Sequence, residues 1–530
     1  MHDVKNLAWQ ESKEEIDLLE SVGGFAQARS GPQPQQGGDQ ACVSMLTGRM
    51  ALAYAAPRHS LGDMNLTELL DKAASDWPKR IAVIEGNSAV SYTELVENTL
   101  ALATQLRTLQ LSANCRVGLY FPNSVNYVSL TFALWRINAV VVPIPTECTE
   151  AELSDIAAKM QLEGILSQKP RAQSVALRPD VFLTRLTPAL PSDNHGLNLA
   201  FIRFTSGTTS VRKGVALCHE TITGRVMAAN QALRIGPADT VMWCLPMSHH
   251  FLVTIVLYLS QGATIVLARH ILSRPFLEAA NRWKGTVLYA APFHYSMLAR
   301  DSSCAKLASV RLAVSTTCRL PQEVAVSFQQ RFGLPLSQAL GVIEVGLICV
   351  NVDDPTARWD SVGRPLPEYA VNIRHPDING YGEVVVSGPG ILDAYTNPWI
   401  SRDQLMPDGW FATGDIGRID PQGYLYLVGR KTAVINLAGR KVFPEEIEAV
   451  LNRHPTVRES RVYGTAHSHL GELVEAEVVL RDAVSTDALR DFCRVHLSSD
   501  KIPSRFHVVK LITKTAVTGK IRRQTTPPIA

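Results

Sequence analysis

Between Ile81 and Ala290 the chain alternates short, unbroken apolar runs with longer stretches of helical periodicity, and that alternation restricts the fold more than anything else in it. A strand from Ile81, a Gly86-Asn87 turn and a strand at Val90-Ser-Tyr92 lead into a helix over about 93–109. Val117–Phe121 is the next apolar run, followed by a helix through Trp135, and Val140–Ile144 is a further buried strand closed by Pro145. Thr221–Leu233 reads as helix; Thr240–Leu245, Thr264–Ala268 and Val287–Ala290 read as buried strands. Strands that do not alternate polar with apolar residues are buried on both faces, as in a mainly parallel sheet covered by helices. The pattern therefore predicts an α/β fold with covered, mainly parallel sheets. From Gly380 the texture changes to short strands and glycine turns (Glu383–Val386, Trp410-Phe411, Tyr424–Leu427), which suits an antiparallel or barrel-like piece, with a small distorted β-barrel as the expectation. A small α+β domain is expected over 432–530, after a large domain spanning 61–431. Its first helix is marked by Pro444 and by Glu445, Glu446 and Glu448, charges that suit a helix N-terminus.

Bulk properties narrow the partners. In 530 residues, 52 Lys+Arg against 49 Asp+Glu leave a net charge of +3, too balanced to call for nucleic acid. The longest apolar run, Phe251–Leu259, is too short for a membrane span. Nine cysteines contain no C-x-x-C pair, which argues for reduced thiols rather than a disulfide frame or a zinc site. Asp3, Glu11, Glu14 and Glu15 rule out a signal peptide, so a cytoplasmic protein is expected. Residues 1–60 stand apart: Gln33–Gln40 is low-complexity, and the stretch is expected to be a disordered leader. A start of translation at Met50 or Met45 would make that leader an artefact of gene calling, and N-terminal sequencing that finds Met1 or His2 would dispose of the idea.

One stretch carries chemistry on its face. After the run Leu199–Phe204, residues Thr205, Ser206, Thr208, Thr209 and Ser210 surround Gly207, with Arg212, Lys213 and Gly214 behind. Glycine lets backbone N–H groups turn inward, small hydroxyls add donors without bulk, and the lysine adds charge, so the ensemble suits a triphosphate. It is not the common nucleotide loop, whose second glycine would stand at 212. Alone it would read as a polar surface turn.

Other segments recur in order downstream: Pro246-Met-Ser-His-His250, Leu340-Gly-Val-Ile-Glu344, Trp410-Phe-Ala-Thr-Gly-Asp415, Gly429-Arg430 and Thr518-Gly-Lys-Ile-Arg522. With Ser91-Tyr-Thr-Glu-Leu95 at the start, the chain resembles the adenylate-forming (AMP-binding) superfamily of acyl- and aryl-CoA synthetases, peptide-synthetase adenylation domains and luciferases over about residues 61–524. The resemblance implies an ATP-dependent acid–thiol ligase: a carboxylate attacks the α-phosphate of ATP, pyrophosphate leaves, and a thiol captures the acyl-adenylate. It implies that Thr205, Ser206, Gly207, Thr208, Thr209 and Lys213 hold the phosphates, with Thr205 also catalytic. It places Gly341 beside the nucleotide, Glu344 on Mg²⁺, Asp415 and Arg430 at the ribose, and His249 (or its neighbour His250) at the acyl pocket. Lys520 becomes the catalytic cation that bridges carboxylate and α-phosphate. It is delivered by a small domain that pivots at Lys431-Thr432.

The acceptor implied is coenzyme A, with a carrier-protein phosphopantetheine as the alternative. The partner is a small carboxylic acid, with an acyl or peptidyl carrier protein as a second partner in the alternative. No aspartate occurs between 241 and 262, which argues against an α-amino acid. A non-catalytic nucleotide-binding scaffold and a luciferase-like oxidative activity are the remaining readings. The chain departs from the family pattern at Ser210 and Arg212 in the loop, at Ile343 before Glu344, at Ser315–Cys318 where Gly-Gly-Ala/Glu is usual, at Thr432-Ala433 in the hinge, and at Asn436.

Overall fold

The structure is a computed structural model, and it describes residues 64–111, 113–188, 193–204, 213–268, 273–437, 440–467 and 471–513. The leader, the loop residues 205–212 and Lys520 lie outside the described residues. The described chain divides into two compact units, 64–427 and 428–513.

Two nine-stranded sheets build the first unit. In one, strands Ser337–Val342, Leu312–Ser315, Val287–Ala290, Thr240–Trp243, Thr264–Leu267 and Ile81–Glu85 lie side by side and parallel. Antiparallel strands flank them: Gly346–Val350 and Arg364–Pro365 on one edge, Ser88–Ser91 on the other. In the second sheet the parallel centre is Leu199–Phe204, Val140–Pro143, Arg116–Tyr120 and Gly164–Ser167. The strands outside it, including Gly214–Cys218 and Ala394–Thr396, are antiparallel. Both sheets are thus mixed, with parallel strands only at their centres, where the apolar runs stand. Runs without alternation fill those central places because both faces are buried.

The burial pattern shows how the layers stack. Val141 packs into one shared core, while Val140 and Val142 pack into a separate cluster behind their sheet. Val287 and Tyr289 likewise face the shared core, and Leu288 and Ala290 the cluster behind theirs. Helices Tyr92–Thr108, Val125–Arg136 and His219–Leu233 contribute to that shared core. Each is started by its own sequence or its neighbours. Ser91 accepts from the Glu94 amide and Glu94 accepts from the Ser91 amide, a reciprocal cap. Ser124 accepts from the Tyr127 amide at 3.1 Å.

The barrel expected after Gly380 does not close. Among the described residues that region is an open four-stranded antiparallel sheet, in the order Ala370–Arg374, Gly382–Ser387, Phe411–Ile419, Leu425–Arg430. Four strands are too few to close on themselves with side chains inside. The second unit has a five-stranded sheet, whose long strands Val457–His467 and Gly471–Leu480 pair antiparallel, and helices Pro444–Leu451 and Thr486–His496. Pro444 does stand at the first helical position.

His219, at the start of its helix, is 2% exposed and accepts from the Leu66 amide through Nδ1 at 3.1 Å. Burial pushes its imidazole down to about 4. The unfolded chain therefore takes up a proton between pH ~6.5 and ~4 that the folded chain refuses, so stability falls with pH through that window by roughly 3 kcal/mol. In His219→Asn, which keeps an acceptor for the Leu66 amide, thermal melts recorded from pH 7 to 4 should show a distinctly shallower decline than the parent.

Candidate active site

The carboxyl ends of the parallel strands converge on one edge of the first sheet. Segments after Trp243, Ala290, Ser315 and Val342 carry Pro246–His250, Ala291–Phe293, Thr316–Cys318 and the Glu344 turn. An open α/β sheet binds its ligands at that edge.

Glu344 occupies a tight turn between strands Ser337–Val342 and Gly346–Val350, closed by the Val345 amide donating to the Val342 carbonyl at 3.1 Å. Gly341 precedes it because a Cβ there would lie 3.1 Å from the Gly346 carbonyl oxygen. The Tyr395 hydroxyl donates to Glu344 Oε1 at 3.0 Å, and the Leu392 amide donates to the Glu344 carbonyl at 2.7 Å. Tyr395 arrives on the strand Ala394–Thr396, which pairs with Gly214–Cys218 so that Tyr395 stands opposite Val215. Lys213 Nζ sits 5.1 Å from the centre of the Tyr395 ring, within cation–π range. Burial and the Glu344 charge together push the Tyr395 phenol well up, so it remains a donor.

Arg203, near the end of strand Leu199–Phe204, donates through Nη2 to His249 Nδ1 at 3.2 Å. A guanidinium has no acceptor, so this imidazole nitrogen must accept and the neutral ring carries its proton on Nε2. Arg225, on helix His219–Leu233, donates to the Gly390 carbonyl at 2.6 Å and to the Ile343 carbonyl at 3.0 Å, bracing the Glu344 turn from behind. Burial pushes both guanidiniums down to about 10, with the Glu344 charge opposing the shift in each. Both stay cationic at neutral pH.

Asp415 is buried, 6% exposed, in strand Phe411–Ile419. The register against Gly382–Ser387 shifts between Glu383–Ile416 and Val385–Ala412, a bulge that takes up Thr413-Gly414-Asp415. Gly414 there has φ +73°, and Thr413 Oγ1 accepts from the Asp415 amide at 3.1 Å while donating to the Val384 carbonyl at 3.0 Å. The Thr-Gly-Asp order therefore suits the bulge: a hydroxyl that bonds both strands, then a left-handed residue, then the residue whose amide the hydroxyl receives.

The structure thus brings Lys213, His249, Gly341 and Glu344 into one linked group through Arg203, Tyr395 and the Glu344 turn. Asp415 stands in the neighbouring four-stranded sheet, and Arg430 belongs to the second unit, followed by the short helical turn Lys431–Ala433. Sequence reasoning missed Arg203, Arg225 and Tyr395. The signal for the first two was a charge inside an otherwise apolar strand or helix face. At Thr316–Cys318, where the resemblance expects glycines, Thr317 adopts φ +77°. No cluster of three or more His, Cys, Asp or Glu side chains able to hold a metal occurs among the described residues. No helix among them is long and apolar enough to cross a membrane.

Sequence profiles decide the family: that described as AMP-binding enzyme matches residues 70–396, and that of the AMP-binding enzyme C-terminal domain matches residues 446–520. The chain belongs to the AMP-binding enzyme family. It is an enzyme of the AMP-forming acid–thiol ligase type. A sulfoacetate–CoA ligase of Cupriavidus necator is 28% identical over 491 residues, covering 86% of this chain and 96% of its own. Among solved structures, ATP-bound MatB of Rhodopseudomonas palustris superposes with a TM-score of 0.76 at 23% identity, covering 87% of this chain and 97% of its own. The o-succinylbenzoate coenzyme A synthetase of Bacillus subtilis, in complex with ATP and magnesium ion, gives 0.74 at 23% identity, with 86% and 98% covered. At such identities the superpositions show the shared fold.

Gly414→Ala should destabilise the first unit by about 1–2 kcal/mol, the cost of placing a Cβ in the left-handed region. A denaturant midpoint unchanged from the parent would remove the bulge as the reason for glycine.

Proposed function

We propose that this AMP-binding enzyme joins ATP to a small carboxylic acid and passes the acyl group to coenzyme A. The observation that carries the proposal is the Glu344 carboxylate and the Lys213 ammonium meeting on Tyr395 at the carboxyl edge of the parallel strands.

In the first half-reaction a carboxylate oxygen bonds to the α-phosphorus and the bond to the pyrophosphate oxygen breaks. The role proposed for Lys213 is to offset phosphate charge, and the same role is proposed for the hydroxyls of Thr205, Ser206, Thr208 and Thr209 and the backbone at Gly207. Asp415 accepts from the ribose hydroxyls, with Arg430 assisting, and His249 Nε2–H borders the acyl group. In the second half-reaction the thiol sulfur bonds to the carbonyl carbon, the bond to the adenylate oxygen breaks, and the thiol proton passes to solvent.

A single carboxylate with one oxygen already bonded to Tyr395 fits Mg²⁺, which is held by one or two carboxylates together with substrate phosphates rather than by a protein cage. Glu344 is the residue that would hold it, and the ion would neutralise phosphate charge. Tyr395 holds that carboxylate by its hydroxyl.

The relative from Cupriavidus necator is named a CoA ligase, which supports coenzyme A as acceptor over a carrier protein. Lys520 is proposed to offset the charge that develops between carboxylate and α-phosphate. Lys520→Ala should slow acid-dependent ATP–pyrophosphate exchange about 10²–10³-fold, the scale for removing one preorganised donor, while thioester formation from a supplied acyl-adenylate is largely spared. Undiminished exchange by the variant refutes the role. Thioester formed with a phosphopantetheinylated carrier but not with coenzyme A would transfer the second half-reaction to the alternative acceptor.

A further inference from the structure

One short segment grips Glu344 at two points. The Leu392 amide donates to the Glu344 carbonyl at 2.7 Å, and three residues on the Tyr395 hydroxyl donates to Oε1 of the same residue at 3.0 Å. The first bond fixes the backbone of the turn, and the second fixes the side chain by one of its two oxygens. Among the described residues no hydrogen bond is made to Oε2. Arg203 and Arg225 feel the Glu344 charge, so the carboxylate sits in a positive field while a neutral phenol sets its direction.

Both ends of the Tyr395–Glu344 bond are held from behind. Tyr395 stands opposite Val215 in the pairing of Ala394–Thr396 with Gly214–Cys218. Its neighbour in the segment, Asp393, accepts from the Cys218 amide at 2.7 Å, from the Thr221 hydroxyl at 3.0 Å and from Arg402 at 2.7 Å. On the other side, Arg225 donates to the Ile343 carbonyl next to Glu344 and to the Gly390 carbonyl at the start of the gripping segment. Neither partner can turn aside without breaking hydrogen bonds in this frame.

A carboxylate tied by one oxygen and braced at its backbone offers a cation a single oxygen in a fixed direction. That suits Mg²⁺, which requires near-octahedral geometry and takes carboxylates together with water and phosphate. Ca²⁺ is larger, gathers about six to eight oxygens, and uses carboxylates by both oxygens as well as by one, in flexible sites. We propose that Tyr395 is a positioning residue that acts through Glu344 and makes the site select a small octahedral cation over Ca²⁺. By occupying Oε1, its hydroxyl denies the larger ion the second oxygen and the freedom to adjust. This rests on the ligase reading, in which the cation arrives with ATP, and adds to it the residue that decides which cation serves.

The test measures ATP binding to the full-length enzyme by calorimetry, once in saturating Mg²⁺ and once in saturating Ca²⁺, without an acid so that no turnover intervenes. The parent should bind ATP at least about tenfold more tightly with Mg²⁺, and Tyr395→Phe, which loses the hydroxyl alone, should bring the two affinities close to each other. Most of that change should come from weaker binding with Mg²⁺, by about 10-fold or more, the scale for losing a partner that orients a metal ligand. In a Glu344→Ala background the hydroxyl has nothing to position, so adding Tyr395→Phe should leave the ratio unchanged. A general loosening of the site would weaken binding with both ions alike, and a ratio unmoved in Tyr395→Phe therefore overturns the proposal. A further fall of the ratio in the Glu344→Ala background overturns it as well, because Tyr395 would then act by another route. Should Tyr395→Phe fail to fold, the parent's ratio and that of Tyr395→Trp decide. A parent that exchanges pyrophosphate with an acid but binds ATP equally with the two ions overturns the role of Tyr395 and leaves the ligase intact. ATP binding with neither ion overturns the ligase reading and the selection together.

Discussion

Three cations gathered about the Glu344 turn set the terms for the whole site. Arg203 and Arg225 feel the Glu344 charge, Lys213 reaches it by way of Tyr395, and Asp393 is a second carboxylate acting on Arg225. Burying charge without a partner costs several kcal/mol per ion in a protein interior, so such a cluster persists only where each member has a compensation. Arg225 finds it in two backbone carbonyls, which turns its cost into a brace for the Glu344 turn. Lys213 rests on the face of Tyr395, whose hydroxyl in turn fixes Glu344. Among the described residues Arg203 has one hydrogen bond, to His249. The excess positive charge is what an enzyme that handles a polyphosphate and an acid requires.

Those side chains meet because the two sheets share a core. Strand Ala394–Thr396 adds itself to Gly214–Cys218 in the second sheet, while the stretch before it is anchored to the helix His219–Leu233 and to the turn that ends the first sheet's parallel strands. Asp393 secures the join: it accepts from the Cys218 amide at 2.7 Å, from Thr221 at 3.0 Å and from Arg402 at 2.7 Å. Tyr395 is thus placed by a network that touches neither a substrate nor the reacting atoms. Loss of that network would misplace the hydroxyl that orients Glu344 with every site residue still present.

Much of this was legible in the chain. Apolar runs such as Val140-Val-Val and Thr264–Leu267 announce central strands because helices cover both faces, and Pro444 with its glutamates announces a helix start. The open sheet after Gly380 was misread as a barrel, since short strands with glycine turns look alike whether or not the ends meet. Ser91–Glu94, noticed as part of a family pattern, turns out to be a reciprocal helix cap. A serine or threonine followed three residues later by glutamate carries that meaning on its own. Arg203 and Arg225 were invisible to a search for motifs, because what distinguishes them is a charge in the wrong place rather than a spacing.

Departures from the family pattern look different once the backbone is in view. Ile343 lacks the hydroxyl expected beside Glu344, but its carbonyl still accepts from Arg225 and its side chain packs against the shared core. Thr317, within Ser315–Cys318 where the family pattern has Gly-Gly-Ala/Glu, holds φ +77°, a conformation that costs a β-branched residue about 1–3 kcal/mol. Strain of that size is retained only where surrounding contacts dictate the chain path; here the Thr316 amide remains bonded to the Ala290 carbonyl at 3.0 Å. The route of the backbone past the edge of the sheet is therefore set by its hydrogen bonds to the neighbouring strand rather than by a preference of the threonine itself.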